Sequence, residues 1–321
     1  MSINTFRRLA WSFAVLFAVH AGAQDYPNKT IRIVVPFPSG GATDVVTRIV
    51  AQKLTDQFGR QVVAENRGGA GGILGSETVA KAAPDGYTLV MGTTGTHAIN
   101  ASLYPKLSYD PVRDFAPVTR TALLPNMIVA HPSVPAKSVR ELIALAKKKP
   151  GELTYASSGS ALYLSGALFT SMAGIELIHV PYKGGGQAMP ALLGGEVALS
   201  FATVVSSLPH VKTGKLRALG VTSAQRTPAA PEYATVAESG LPGYEAVAWY
   251  GVLAPAATPR EIVARLNAEI VRALKLPEVQ QLLLAQGAET VSDTPEHFAA
   301  ILKADVAKWS EVVKKSGAKA D

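Results

Sequence analysis

The stretch Ile31-Arg32-Ile33-Val34-Val35-Pro36-Phe37-Pro38-Ser39-Gly40-Gly41-Ala42-Thr43-Asp44 decides how the rest of the chain is read. Its β-branched opening is the mark of a buried strand. Two prolines and two glycines stop that strand and permit an unusual loop backbone. An amphipathic helix follows, with Val46, Val50 and Leu54 at i+4 spacing beside Val45 and Ile49. A strand that turns through Ser and Gly into a helix aims unpaired N–H groups, at the positive end of the helix dipole, at one place. The loop is therefore expected to hold a carboxylate. The competing reading is an ordinary strand-to-helix turn in an α/β domain.

Working outward, strand and helix patterns alternate. Strands are expected at 31–36, 62–65, 87–91, 127–131, 153–156, 175–180, 197–201, 216–221 and 247–253. Helices are expected over 42–58, around 75–82, after a capping box of Ser138 and Glu141, up to Ala173, and up to Leu193. Thr258, Pro259 and Glu261 mark another helix start, Gly287 closes a helix through Leu282–Leu284, and Pro295-Glu296 opens a last one at 298–315. Residues 103–117 read as irregular. The strand–loop–helix unit with a Ser/Gly turn occurs near residue 37 and again near residue 157, which points to two lobes. The expected divisions are 1–23 for a leader, 24–123 for the first lobe, 124–223 for the second, and 224–321 for a segment that returns to complete the first.

The leader has Arg7 and Arg8, a short apolar run from Leu9 to Val19, and Ala21-Gly22-Ala23, so cleavage is expected after Ala23. No later stretch has the ~20 apolar residues of a membrane span, so the mature protein is not expected to be membrane-inserted. With 321 residues and 48% hydrophobic composition the chain can bury a sizeable core. It has no cysteine, which removes thiol nucleophiles, thiolate metal sites and disulfides, and fits an exported bacterial periplasmic protein. The formal charge is +7, or +5 once Arg7 and Arg8 leave. The basic residues are scattered apart from Lys147-Lys148-Lys149 at a helix end, so nucleic acid is not an expected partner.

Catalytic signatures are missing: there is no G-x-S-x-G elbow, H-E-x-x-H or P-loop. The Asn66–Gly75 loop fails as a dinucleotide fingerprint, because Leu74 stands at the third glycine position, and it reads as a packing turn. The histidines are isolated, so no metal is expected. His179 reads as a core histidine; His97 is the one placed beside a candidate loop. What remains is hydroxyls and glycines at strand ends: Ser39, Gly40, Gly41 and Thr43; Thr93, Thr94 and Thr96; Ser157, Ser158 and Gly159. Ligands of open α/β sheets sit at strand carboxyl ends, and neutral donors there bind an anion without a buried counter-charge. Asp44 either acts on a ligand or stabilises its helix start. No cofactor is implied.

Taken together these segments resemble the Bug family, periplasmic substrate-binding proteins of tripartite tricarboxylate transporters. The resemblance rests on Tyr26-Pro27, Val35-Pro36-Phe37 through Gly40-Gly41-Ala42-Thr43-Asp44, and Glu65-Asn66-Arg67. It continues with Ala82-Ala83-Pro84-Asp85-Gly86-Tyr87, Tyr109-Asp110-Pro111, His179-Val180-Pro181-Tyr182-Lys183-Gly184, Gly214-Lys215-Leu216-Arg217 and Leu253-Ala254-Pro255. It implies a two-lobed, type II periplasmic-binding-protein-like α/β fold, each lobe a mixed β-sheet flanked by helices. It also implies a carboxylate between the lobes, held by Phe37–Thr43 and Thr93–Thr96 of one lobe and by Ser157, Ser158 and Gly159 of the other. The implied role is a monomeric, non-catalytic receptor that delivers its ligand to a membrane permease; a sensor subunit or a periplasmic hydrolase are the alternatives. Tyr163 and Ala202 stand where relatives commonly carry a His and an Asp, which implies a ligand whose distal part is larger or less polar than a small amino acid, either aromatic or a longer diacid.

Overall fold

The computed structural model describes residues 26–157, 159–182 and 185–318. The leader with its cleavage site, Ser158 and Lys183-Gly184 lie outside the described residues.

The opening segment forms β1 (Ile31–Val35), α1 (Ala42–Phe58), β2 (Val62–Asn66), α2 (Ile73–Ala80) and β3 (Thr88–Thr93). A π-helical turn at Gly95–Ile99 and the short α3 (Asn100–Leu103) lead to β4 (Phe115–Leu124). β5 (Asn126–Ala130), α4 (Val139–Lys148), β6 (Thr154–Ser157), α5 (Ser160–Ala173), β7 (Ile178–Pro181), α6 (Gly185–Leu193), β8 (Leu199–Thr203), α7 (Val204–Lys212) and β9 (Arg217–Val221) follow. The chain closes with β10 (Ala248–Pro255), α8 (Arg260–Leu274), α9 (Pro277–Ala285), β11 (Glu289–Thr290) and α10 (Pro295–Ser316).

The strands sort into two mixed sheets, ordered β11-β4-β10-β3-β1-β2 and β7-β6-β8-β5-β9. In the first, β1 runs parallel to β2 and β3, with Ile33 opposite Ala64 and Leu89, while β10 runs antiparallel to β3 and β4. Alternate residues therefore serve opposite faces. Ile31 and Ile33 pack with Val46, Val50 and Leu54 of α1 and Leu266 of α8; Val34 joins Val90, Trp249 and Phe298 on the other side. The second sheet divides its residues in the same way. Ile128, Tyr155 and Phe201 face α5, and Met127, Val129 and Ala156 face α6 and α7. The chain passes from the first sheet to the second at Pro125 and returns between Val221 and Ala248.

Three expectations need correction. The irregular stretch ends at Asp114, because Phe115–Leu124 is a full strand. Pro117 and Arg120 hide it in the sequence. The strand tolerates the proline because its pairing with β10 shifts register between Val252 and Leu253, a bulge where a missing N–H is harmless. α8 starts at Arg260 with Pro259 as N-cap, and Thr258 makes no capping bond. The last helix does not pack on the first lobe alone. Phe298 and Leu302 lie in the first lobe's core, whereas Trp309, Val312 and Val313 lie among Tyr155, Leu164 and Phe169 of the second. α10 is thus a strap across both lobes. The Ser138 cap forms as read: its hydroxyl accepts the Glu141 N–H at 3.2 Å, and Glu141 reaches back to the Lys137 N–H at 2.7 Å. No helix among the described residues is long and apolar enough to cross a membrane.

Candidate functional site

The loop after β1 is shaped from within by Asp44. Its carboxylate is 4% exposed and accepts the Gly40 N–H at 2.9 Å, the Asn66 side-chain amide at 2.9 Å and Arg48 Nε at 3.0 Å. The Asn66 amide also donates to the Phe37 carbonyl at 3.1 Å. Gly40 takes φ +86°, a conformation that favours glycine. Burial alone would raise the Asp44 pKa, but the bonds from Arg48, Gly40 and Asn66 outweigh it and hold the carboxyl below its ordinary value. Asp44 therefore sets the loop from behind. Asp44→Ala is expected to lower stability by about 1–2 kcal/mol, since two part-buried donors lose a charged acceptor while the exposed Arg48 contributes little. An unchanged urea midpoint would contradict this role.

The glycine-rich turn beneath behaves as packing. A Cβ on Gly75 would lie 2.8 Å from Pro36 Cα and 2.6 Å from the Arg67 carbonyl, so α2 can approach β1 only through a glycine. Above it, α1 begins at Gly41 with no side-chain cap, which leaves its first N–H groups available.

At the end of β3, Thr93 and Thr94 stand at the opening between the lobes. Thr94 Oγ1 accepts the Trp249 N–H at 2.8 Å. Thr96 turns inward: its hydroxyl accepts the Thr93 N–H at 3.0 Å and meets His97 Nδ1 at 2.8 Å, and both residues are fully buried. Burial pushes the His97 pKa down to about 3. In the second lobe, Gly159 at φ +99° is the N-cap of α5, again without a side-chain cap. Ser157 Oγ meets His179 Nε2 at 2.7 Å, and the His179 ring stacks on Tyr163 at 4.1 Å and 23°.

Three connected cavities run along the cleft. The central one, about 330 Å³, is lined by Phe37, Thr43, Thr93, Thr94 and Gly95 from one side and by Gly159, Ser160 and Ala161 from the other, with Tyr250 at its back. It meets the uncapped starts of α1 and α5, so two positive helix ends from opposite lobes converge on one chamber. A larger arm of about 610 Å³ shares Phe37 and Thr43 with it and extends past Ser39 and Gly41 to Ala202. A smaller arm of about 280 Å³ shares Gly159 and Ser160 and reaches Ser157, Tyr163 and His179. No Asp, Glu, Lys or Arg lines any of the three among the described residues. Nor, among those residues, does any group of three His, Asp or Glu suit a metal ion.

The cleft thus gathers Phe37, Ser39, Gly41, Thr43, Thr93, Thr94, Ser157, Gly159, Tyr163 and Ala202. Gly40, Asp44 and Thr96 are absent from its walls because their polar groups serve the loops themselves. The histidines exchange places: His97 is the core histidine, and His179 lines the smaller arm. Its signal was present, since His179 lies near the carboxyl end of a parallel strand. Tyr250 and Met189 carry no such signal, being brought in by an antiparallel strand and the middle of a helix.

The chain matches the tripartite tricarboxylate transporter family receptor family over residues 46–318. It is 38% identical to Protein BugT of Bordetella pertussis, over 94% of each chain. Rpa4515 of Rhodopseudomonas palustris, solved with adipate, is 39% identical, with a TM-score of 0.79 over 91% of this chain and 99% of that one. MatC from the same organism, solved with bound malate, is 35% identical, with a TM-score of 0.75 over 90% of this chain and 100% of that one. The shared family, the two-lobed fold and the cleft between the sheets agree: this chain belongs to the family of periplasmic receptors of tripartite tricarboxylate transporters.

Proposed function

We propose that this protein is a non-catalytic periplasmic receptor that takes up an organic carboxylate in its cleft and presents it to the membrane subunits of a tripartite tricarboxylate-type transporter. In this reading the leader is removed after Ala23, and the receptor acts as a monomer with lobes at 24–123 joined by 224–321, and 124–223. The observation that carries it is the convergence of two uncapped helix starts, α1 and α5, on one chamber that no charged side chain lines among the described residues. Fixed N–H dipoles there favour an anion and need no buried counter-ion. The adipate and malate bound by Rpa4515 and MatC support the same ligand class. The chamber supplies hydroxyls and amides for recognition; the paired acid and base of a hydrolytic site are not part of this reading.

Thermal unfolding against a panel of mono-, di- and tricarboxylates, each beside its neutral amide, tests the proposal. A cognate carboxylate at a hundred times its Kd is expected to add about 2.7 kcal/mol to the folded state, while the amide leaves the midpoint in place. Equal shifts with acid and amide, or none with any acid, would overturn it.

A further inference from the structure

The larger arm of the cleft is built differently from the central chamber. Its far wall is apolar, made by Leu162 at the start of α5, Ala188 and Met189 on α6, and Phe201 and Ala202 on β8. Ala188 and Ala202 are buried, and Leu162 and Met189 are half-buried and line the arm.

The hydroxyls on that wall are already committed as donors. Ser200 donates to the Ala156 carbonyl at 3.1 Å. Thr203 donates to Ser206 Oγ at 2.8 Å, and Ser206 donates to the Thr203 carbonyl at 3.0 Å. The helix start beside them differs from that of α1 in being capped, because Thr203 Oγ1 accepts the Ser206 N–H. The two ends of the arm therefore differ in chemistry. The lobe-one end meets the uncapped start of α1 at Ser39, Gly41 and Thr43; the lobe-two end offers apolar surface and oxygen lone pairs. A second carboxylate at that end would find, among the described residues, acceptors where it needs donors.

A carbon body gains there what a second carboxylate loses. An apolar cavity of about 150 Å³ suffices for a benzene ring, and this arm measures about 610 Å³. Phe37 stands where the arm joins the chamber, and Met189 on the opposite lobe is a flexible, polarisable side chain suited to an aromatic edge.

We infer that the ligand is an aromatic monocarboxylate, its carboxylate at the helix starts of the central chamber and its ring in the Leu162–Met189–Ala202 arm. The inference rests on the carboxylate-receptor reading and narrows it. Titration calorimetry of the purified protein with benzoate, phenylacetate, benzamide, adipate and malate tests it. Benzoate or phenylacetate is expected to bind at least tenfold tighter than adipate or malate, and benzamide at least tenfold weaker than benzoate. Adipate or malate binding as tightly as the aromatic acids would overturn the inference and leave the receptor reading standing. Benzamide equal to benzoate, or no binding by any acid, would overturn the receptor reading and the inference with it. Ala202→Asp is expected to weaken benzoate at least tenfold by placing a like charge at the end of the arm. Leu162→Ser, in the half-exposed first turn of α5, is expected to weaken it several-fold. Aromatic binding unaffected by either folded variant would place the ring elsewhere and overturn the inference.

Discussion

Acidification from pH 7 to pH 4 is expected to cost the fold about 3 kcal/mol through His97 alone. The imidazole is fully buried, touches Phe115 edge-on at 4.6 Å, and has its Nε2 without a partner among the described residues. Burial pushes its pKa from 6.5 down to about 3. The sign follows from where the proton binds. Below about pH 6.5 the unfolded chain takes up a proton that the folded chain refuses. The stability is therefore complete above pH 6.5 and drains away as the pH falls toward 3. Asp44 and Asp293, whose pKa values are held low by their partners, add losses in the same direction near the bottom of that range. A comparison with His97→Leu isolates the imidazole. The variant has nothing to titrate; it removes the unpartnered Nε2 together with the Nδ1 contact to Thr96, so it is expected to cost about 1 kcal/mol at pH 7 and to lose about 3 kcal/mol less by pH 4. Urea unfolding of both proteins at the two pH values measures this, and parallel losses would contradict it.

Phe298→Ala is expected to cost about 4 kcal/mol and to lower Tm by ~10 °C. Phe298 is fully buried on α10 and meets the Trp249 ring edge-on at 5.1 Å. Its ring tip fills the space that a side chain at position 251 would need: a Cβ on Gly251 would lie 2.5 Å from Phe298 Cζ. Trp249 in turn donates to Asp305 of the same helix at 2.6 Å, and its backbone N–H is held by Thr94 at the chamber. Emptying this position therefore loosens the strap at its lobe-one end and disturbs the strand that carries Tyr250. Calorimetric unfolding reads the loss; a Tm within 3 °C of the parent would show that α10 is held chiefly by Trp309 and its neighbours in the second lobe.

How much of this was legible beforehand depends on whether the physics is local. The β-branched run of Ile31 to Val35, the glycines at 40 and 41 and the i+4 apolar series of α1 specify strand, loop and helix within one short window, and α1 spans the expected Ala42–Phe58. The same logic recovers β6, the Gly159 turn and α5. Capping at Ser138 is equally local. β4 was hidden because its stability comes from pairing with β10, more than a hundred residues later, and a bulge absorbs the proline that local rules read as a breaker.

The site divides along the same line. Candidate backbone donors at strand ends could be read from composition and order, since glycines and small hydroxyl residues mark the strand–helix junctions. Which hydroxyls reach the cleft could not, because Thr93 and Thr96 look alike in sequence while one lines the chamber and the other closes a turn onto His97. The sequence alone determined the alternating α/β order, the strand–loop–helix unit after β1 and the two-lobed family likeness, all set by interactions within a few residues. Only the tertiary structure decided that His179 faces the cleft while His97 is buried, that α10 ties both lobes, and that the largest arm of the cleft is apolar at its far end. Each of these depends on which side of a sheet or helix meets a partner distant in the chain, and no local periodicity carries that information.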